Sequence, residues 1–147
     1  LHYLTFGDLM TILHIPDIRH ISEDVWREWQ ARWPNFHPNE MDSRDWSLKV
    51  ETDALDQLQA VRTEWGRSMR VLSGYRNPAH NKAVGGAKKS SHLITCAWDI
   101  AIRNPSEGRK LEALARKHGA RGIGRYPVSH FIHMDWRKTK PATWGRW

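Results

Sequence analysis

Cysteine is nearly missing from this chain: Cys96 stands alone among 147 residues. One thiol excludes an internal disulfide framework and is compatible with synthesis in a reducing cytoplasm. It also excludes a thiolate-rich structural zinc site, which needs several cysteines. Long apolar runs are missing too. Hydrophobic residues make up 39% of the chain, and no stretch approaches the roughly 20 apolar residues of a spanning helix, so no membrane insertion is expected. The chain opens at Leu1 without the basic, apolar and small-residue succession of a secretory signal, so cytoplasmic synthesis without a signal peptide is expected. Internal repeats and low-complexity segments are absent, and the length suits one core rather than two.

Acids are the scarcer charge. Lysine and arginine number 23 against 16 aspartates and glutamates, for a net charge of +7 and a pI near 9.9. Such a balance suits polyanionic surroundings, although an ordinary solvated basic surface accounts for it equally well. Basic residues nowhere form a block, since Lys88-Lys89 and Arg137-Lys138 are only pairs. No motif supports sequence-specific recognition of nucleic acid.

Hydrophobic periodicity predicts three helices. Over residues 22–33, Ser22 is placed to cap, Glu23 and Asp24 suit the first turn, and Val25, Trp26, Trp29 and Trp33 share a face until Pro34 ends the run. Residues 52–65 carry an Ala54, Leu58, Val61 and Trp65 stripe closed by Gly66. Residues 106–118 turn Leu111, Leu114 and Ala115 inward and stop at Gly119. Short strands are expected at 69–72 and 98–102, the latter with Trp98, Ile100 and Ile102 facing a core and Asp99 and Ala101 opposite. A hairpin is expected from 122–126 and 131–136, turning through 127–130. Its second strand puts Phe131, His133 and Asp135 on one face and Ile132, Met134 and Trp136 on the other. The Gly-, Pro- and Ser-rich stretch 77–91 reads as a loop.

The chemistry concentrates in two places. Ser90 to Asp99 holds His92 and, seven residues later, Asp99; His133 lies far downstream on another strand. Two imidazoles and a carboxylate form the mixed nitrogen and oxygen donor set of a catalytic zinc site, which keeps a fourth position open. Taken singly, either histidine is more often a hydrogen-bonded core residue, and Asp99 could cap a turn or pair with an arginine. Asp135 could accept a hydrogen bond from the far nitrogen of a ligating histidine, fixing its tautomer. It could equally carry a salt bridge to Arg125 or Arg137.

Several motifs match a known family together: Ser73-Gly74-Tyr75-Arg76-Asn77-Pro78-Ala79-His80-Asn81, Val84-Gly85-Gly86-Ala87, the run from Ser90 to Asp99, Gly122-Ile123-Gly124-Arg125-Tyr126, and Phe131-Ile132-His133-Met134-Asp135. Over residues 36–144 the chain resembles the zinc D-alanyl-D-alanine carboxypeptidase and L-alanyl-D-glutamate endopeptidase family. That family includes phage endolysins and wall endopeptidases and shares a fold with the hedgehog signalling domain. Its pattern S-x-H-x-x-G-x-A-x-D falls on Ser90, His92, Thr95, Ala97 and Asp99. Thr95 stands where the family usually has glycine, a residue that often marks positive φ or close approach.

The resemblance implies an α+β fold in which a small, mostly antiparallel sheet carries the zinc site and helices back it. Residues 1–35 would be an N-terminal helical extension to a peptidase domain at 36–147. One zinc ion would be held by His92, Asp99 and His133. Arg76 would contact a substrate carboxylate or polarise the scissile carbonyl, its alternative being to staple a loop. Tyr75, Asn81 and Ser90 would bind substrate or scaffold the loop, and His80 would line the cleft or lie on the surface. His130 occupies a slot that holds a carboxylate general base in several relatives, and Asp135 is the next choice; as a turn residue His130 would need no such role. Trp26, Trp29, Trp33 and Trp65 have core spacing, whereas Trp136, Trp144 and Trp147 would close the core or wall the cleft. The implied reaction is hydrolysis of a peptide bond involving a D-amino acid in bacterial peptidoglycan or muropeptides, at the cell wall or periplasm, in phage lysis or as part of a virion. The alternative is a non-catalytic zinc-containing module that binds the wall or builds a virion.

Overall fold

A computed structural model of the chain describes residues 11–88 and 95–147. The first strand, β1 (Ile12–Ile15), pairs antiparallel with β2 (Leu48–Glu51) in a two-stranded sheet. Between them lies α1 (Glu23–Arg32), where the Ser22 hydroxyl accepts from the Val25 amide at 3.3 Å. That bond satisfies one of the four amides that the first helical turn leaves without partners. Trp29 and Trp33, one turn apart, meet edge to face at 4.8 Å. Their indole N–H groups donate to the Phe36 carbonyl at 2.8 Å and to Asp56 at 2.9 Å, so two large rings are buried without losing their polar bonds. Both belong to the same core cluster as Leu58 and Ile100. Residues 11–35 therefore hold a strand besides their helix and pack into the common core.

β2 runs directly into α2 (Thr52–Trp65), which ends where Gly66 takes φ 72° and its amide bonds the Arg62 carbonyl. Left-handed backbone at that point costs glycine little. After β3 (Val71–Ser73) comes a short helix, α3 (Pro78–Ala83), within the stretch expected to be loop. Asn77 caps it by accepting from the His80 amide at 2.8 Å, and Pro78 sits at the first helical position, where its missing N–H is harmless. α4 (Pro105–Lys117) follows β4 (Ala97–Ala101), and the hairpin of β5 (Gly122–Tyr126) and β6 (Phe131–Asp135) leads to β7 (Ala142–Trp144).

The larger sheet has the order β3-β4-β6-β5-β7. All its pairs are antiparallel except β5 with β7, so the sheet is mixed, mostly antiparallel with one parallel edge. The α+β expectation holds in that form. Alternation along the strands sorts the residues by face. Trp98, Ile100, Ile123, Ile132 and Met134 are buried toward α2 and α4, while Asp99, His133 and Asp135 lie on the opposite face.

Candidate active site

Register brings the chemistry together. Asp99 stands opposite His133, which stands opposite Gly124; one row along, Ala97, Asp135 and Gly122 line up across the same three strands. The small residues leave room for the large ones. A methyl group on Gly122 would collide with the Asp135 carboxylate, and one on Gly124 would lie 2.7 Å from the Trp144 ring.

His133 is buried, with a carboxylate at each ring nitrogen: Nδ1 is 3.0 Å from Asp99 Oδ1, and Nε2 is 2.7 Å from Asp135 Oδ2. Trp144 covers the ring at 5.1 Å between centroids. Asp135 is fully buried and also accepts a fork from Arg137, with Nε at 2.8 Å and Nη2 at 2.7 Å, plus the Arg137 amide at 3.2 Å. Burial alone would raise its pKa. The guanidinium and the imidazole overcome that and hold the carboxyl well below the usual carboxylate range. For His133 burial favours the neutral ring, but the two flanking carboxylates outweigh it and the pKa is raised. A ring so flanked is either an imidazolium or a neutral imidazole whose Nε2–H is held by Asp135 while a cation takes the proton's place between Nδ1 and Asp99.

A cleft of about 490 Å³ opens beside Asp99, lined by Ser73, Gly74, Arg76, His80 and Asp42 among others. Arg76 is partly buried there. Burial lowers its pKa and the Asp99 charge raises it; guanidinium remains a cation at any working pH. His80 Nδ1 lies 2.9 Å from Ser43 Oγ and accepts from the Arg44 amide at 3.3 Å. With Nδ1 an acceptor, the neutral ring carries its proton on Nε2. Ser43 is itself buried and accepts from the Asn77 amide at 3.0 Å, tying residue 43 to the cap of α3.

The other residues read from the sequence lie as follows. Tyr75 is buried, and its amide bonds the Met41 carbonyl at 2.9 Å. Asn81 is buried and staples its loop, donating from Nδ2 to the Ala87 carbonyl at 2.8 Å. Both bonds brace the backbone around the cleft. Ser90 and His92 lie outside the described residues. His130 is exposed in the turn before β6, at φ 58°, with its carbonyl accepting from the Ile102 amide. Among the described residues its side chain makes no hydrogen bond or ion pair with Asp99, His133 or Asp135. Cys96 lies beneath the site. Burial, aided by the nearby Glu51 and Asp135 charges, pushes its thiol up to about 12, which removes it as a nucleophile at neutral pH.

Sequence reasoning left three features unassigned. It offered both Arg125 and Arg137 to Asp135 and did not choose. It did not seat Trp144 on His133, nor give Ser43 a part in fixing His80. The Trp144 contact crosses the sheet and the Ser43 contact joins segments 37 residues apart, which no local pattern reports, while the choice of Arg137 over Arg125 turns on which side of the strand each arginine leaves.

Among the described residues, no group of three or more His, Cys, Asp or Glu side chains is placed to hold a metal ion. The donor chemistry of the pair Asp99 and His133 nevertheless fits one: an imidazole nitrogen and a carboxylate oxygen converge, and a buried carboxylate fixes the far nitrogen of the ring.

A family model for peptidase M15 matches residues 34–135. The chain belongs to the peptidase M15 family. Among curated proteins it is 32% identical over 101 residues to the peptidoglycan L,D-endopeptidase MepK of Escherichia coli K12, covering 63% of this chain and 53% of that protein. It is 30% identical over 96 residues to the probable peptidoglycan L,D-endopeptidase MepK of Haemophilus influenzae, covering 59% of this chain and 50% of that one. The chain thus spans about half the length of these relatives. The family match stands at the level of M15, and these relatives bear L,D-endopeptidase names rather than that of a D-alanyl-D-alanine carboxypeptidase. No described helix is long and apolar enough to cross a membrane.

Proposed function

We propose that this chain is a zinc-dependent peptidase that cleaves a bond between an L- and a D-configured centre in bacterial peptidoglycan, with His92, Asp99 and His133 as the ligands of one ion. The observation that carries the reading is the His133 imidazole, held at Nε2 by a fully buried, Arg137-clamped carboxylate and aimed through Nδ1 at Asp99. An ordinary core histidine does not need a carboxylate at both nitrogens. A zinc ion at such a site supplies a Lewis acid for the scissile carbonyl and makes water a stronger acid.

The chain's own residues divide the remaining work. Asp135, kept ionised by Arg137, accepts the Nε2–H of His133 and sets the tautomer, so it orients rather than collects protons. Arg76 offers a planar fork to a substrate carboxylate in the cleft. His80 lines the same cleft, its ring fixed at Nδ1 by Ser43 and the Arg44 amide. Trp144 excludes water from one side of His133. Asp135 bonds the His133 ring directly and His130 does not, which favours a larger rate effect at Asp135 than at His130.

Mass spectrometry of fragments released from purified peptidoglycan tests the reading. New amine and carboxyl ends across an L,D bond are expected. Release of single D-alanine residues would replace the endopeptidase with a carboxypeptidase. Peptidoglycan bound but left uncut would make the chain a non-catalytic wall-binding module.

A further inference from the structure

The charge of this chain is not evenly spread. On the helix side of the larger sheet, two adjoining grooves of about 510 and 590 Å³ meet at Arg109 and Trp147. Arg109, Arg116, Arg125 and Arg146 surround Glu112 in the first; Arg67, Arg103, Arg109 and Lys110 surround Glu107 in the second. Seven of the 23 basic residues and two of the 16 acidic ones line these grooves, so five of the seven net positive charges sit here. The face is opposite the candidate active site: Arg125 alternates with Gly122 and Gly124, which face Asp135 and Trp144, and shares its side of β5 with buried Ile123.

The acids present are already committed. Glu112 takes a fork from Arg125 at 2.7 and 2.7 Å, both bonds of Arg116 at 3.1 Å, and the Trp147 indole N–H at 2.9 Å. Glu107 pairs with Arg103 at 3.0 Å and lies 3.9 Å from Arg67. Arg109, Lys110 and Arg146 are exposed and have no such partner among the described residues. Like charges gathered this way repel one another and raise the local concentration of anions, so an anionic polymer is the ligand this face would attract. The fork between Arg125 and Glu112 illustrates how a carboxylate fits the groove.

We infer that this basic face is a second binding site for peptidoglycan, taking the carboxylates of a stem peptide other than the one in the cleft, with Arg109 and Arg146 as the principal contacts. The inference rests on the wall substrate proposed above. One polymer gripped on two faces is held more tightly than by either site alone, because the second contact forms at high effective concentration. A short soluble stem peptide occupies only the cleft and gains nothing from the second face.

The test is co-sedimentation with insoluble peptidoglycan in the cold, beside turnover of a soluble stem peptide. Reversing both charges, Arg109→Glu with Arg146→Glu, is expected to lower retention about tenfold or more, with turnover of the soluble peptide unchanged. The milder pair Arg109→Gln and Arg146→Gln, whose folding is checked by circular dichroism, should lower it less. Peptidoglycan with amidated carboxyls should hold the wild type no better than native peptidoglycan holds the reversal variant, since amidation also removes the carboxylate offered to Arg76, and should hold wild type and reversal variant equally. Equal retention of wild type and reversal variant on native peptidoglycan overturns the inference. So does retention that survives amidation but is lost when phosphodiester polymers are stripped with hydrofluoric acid. A wild type that fails to cut the soluble peptide counts against the peptidase reading alone, since retention is measured without cleavage.

Discussion

Replacing Glu112 with glutamine tests the electrostatic reading of the helix face quantitatively. The side chain is 11% exposed, and the Arg125 fork, with help from Trp147 and Arg116, holds its carboxyl down at about 2 from an ordinary 4.5. Holding the carboxyl at about 2 rather than 4.5 corresponds to roughly 3 kcal/mol of folding stability at neutral pH. Because the folded pKa is the lower one, that contribution is complete above about pH 4.5 and is lost as pH falls through about 2. Glu112→Gln removes the titrating group and leaves Arg116 and Arg125 facing each other without a counter-charge. Urea unfolding of both proteins at pH 7, 4.5, 3 and 2 should show a wild-type advantage of about 3 kcal/mol at pH 7 that closes toward pH 2. A stability difference that stays constant from pH 7 to pH 2 would refute the assignment of this pKa shift to folding.

Thr95, a β-branched residue at φ 73°, stores backbone strain. Left-handed backbone costs an L-residue roughly 1–2 kcal/mol, and glycine gives back about 0.4–1 kcal/mol through the unfolded chain. Thr95→Gly should therefore raise Tm by about 2–4 °C, and a lower Tm would sink the strain argument. Asp135→Asn should reduce metal affinity or turnover by roughly 10- to 100-fold, as loss of a ligand's hydrogen-bond partner does, and by more than His130→Ala does. A His130→Ala loss of about 10²–10⁴-fold with metal content intact would instead give His130 the acid–base role. Gly122→Ala drives a methyl group into the Asp135 carboxylate. It should cost about 1–3 kcal/mol, as overpacking does, and reduce metal uptake; wild-type values for both would show that the row has room to spare.

Local signals carried much of this fold. Ser22, Gly66 and Gly119 mark helix ends, and the apolar stripes between them gave α1, α2 and α4 nearly to the residue. Alternation likewise gave the β5–β6 hairpin and the face shared by His133 and Asp135. β1, β2 and β7 escaped notice because each is only three or four residues long, and β2 passes into α2 with no side-chain cap to announce the change. Pairing partners were equally hidden. Asp99 meets His133 across 34 residues of chain, and Arg125 reaches Glu112 from β5 to α4, which leaves Asp135 to Arg137 two residues away. Thr95 was marked by the resemblance as standing in a glycine position, and its left-handed φ gives the physical reason a glycine suits that turn.

The central claim, a metal-dependent peptidase acting on peptidoglycan, is tested most directly by digesting purified peptidoglycan with the protein as prepared, after exhaustive chelation, and after returning one equivalent of zinc. The account predicts new peptide fragments in the first and third digests and none in the second. Fragments released at the same rate by the chelated protein would contradict it.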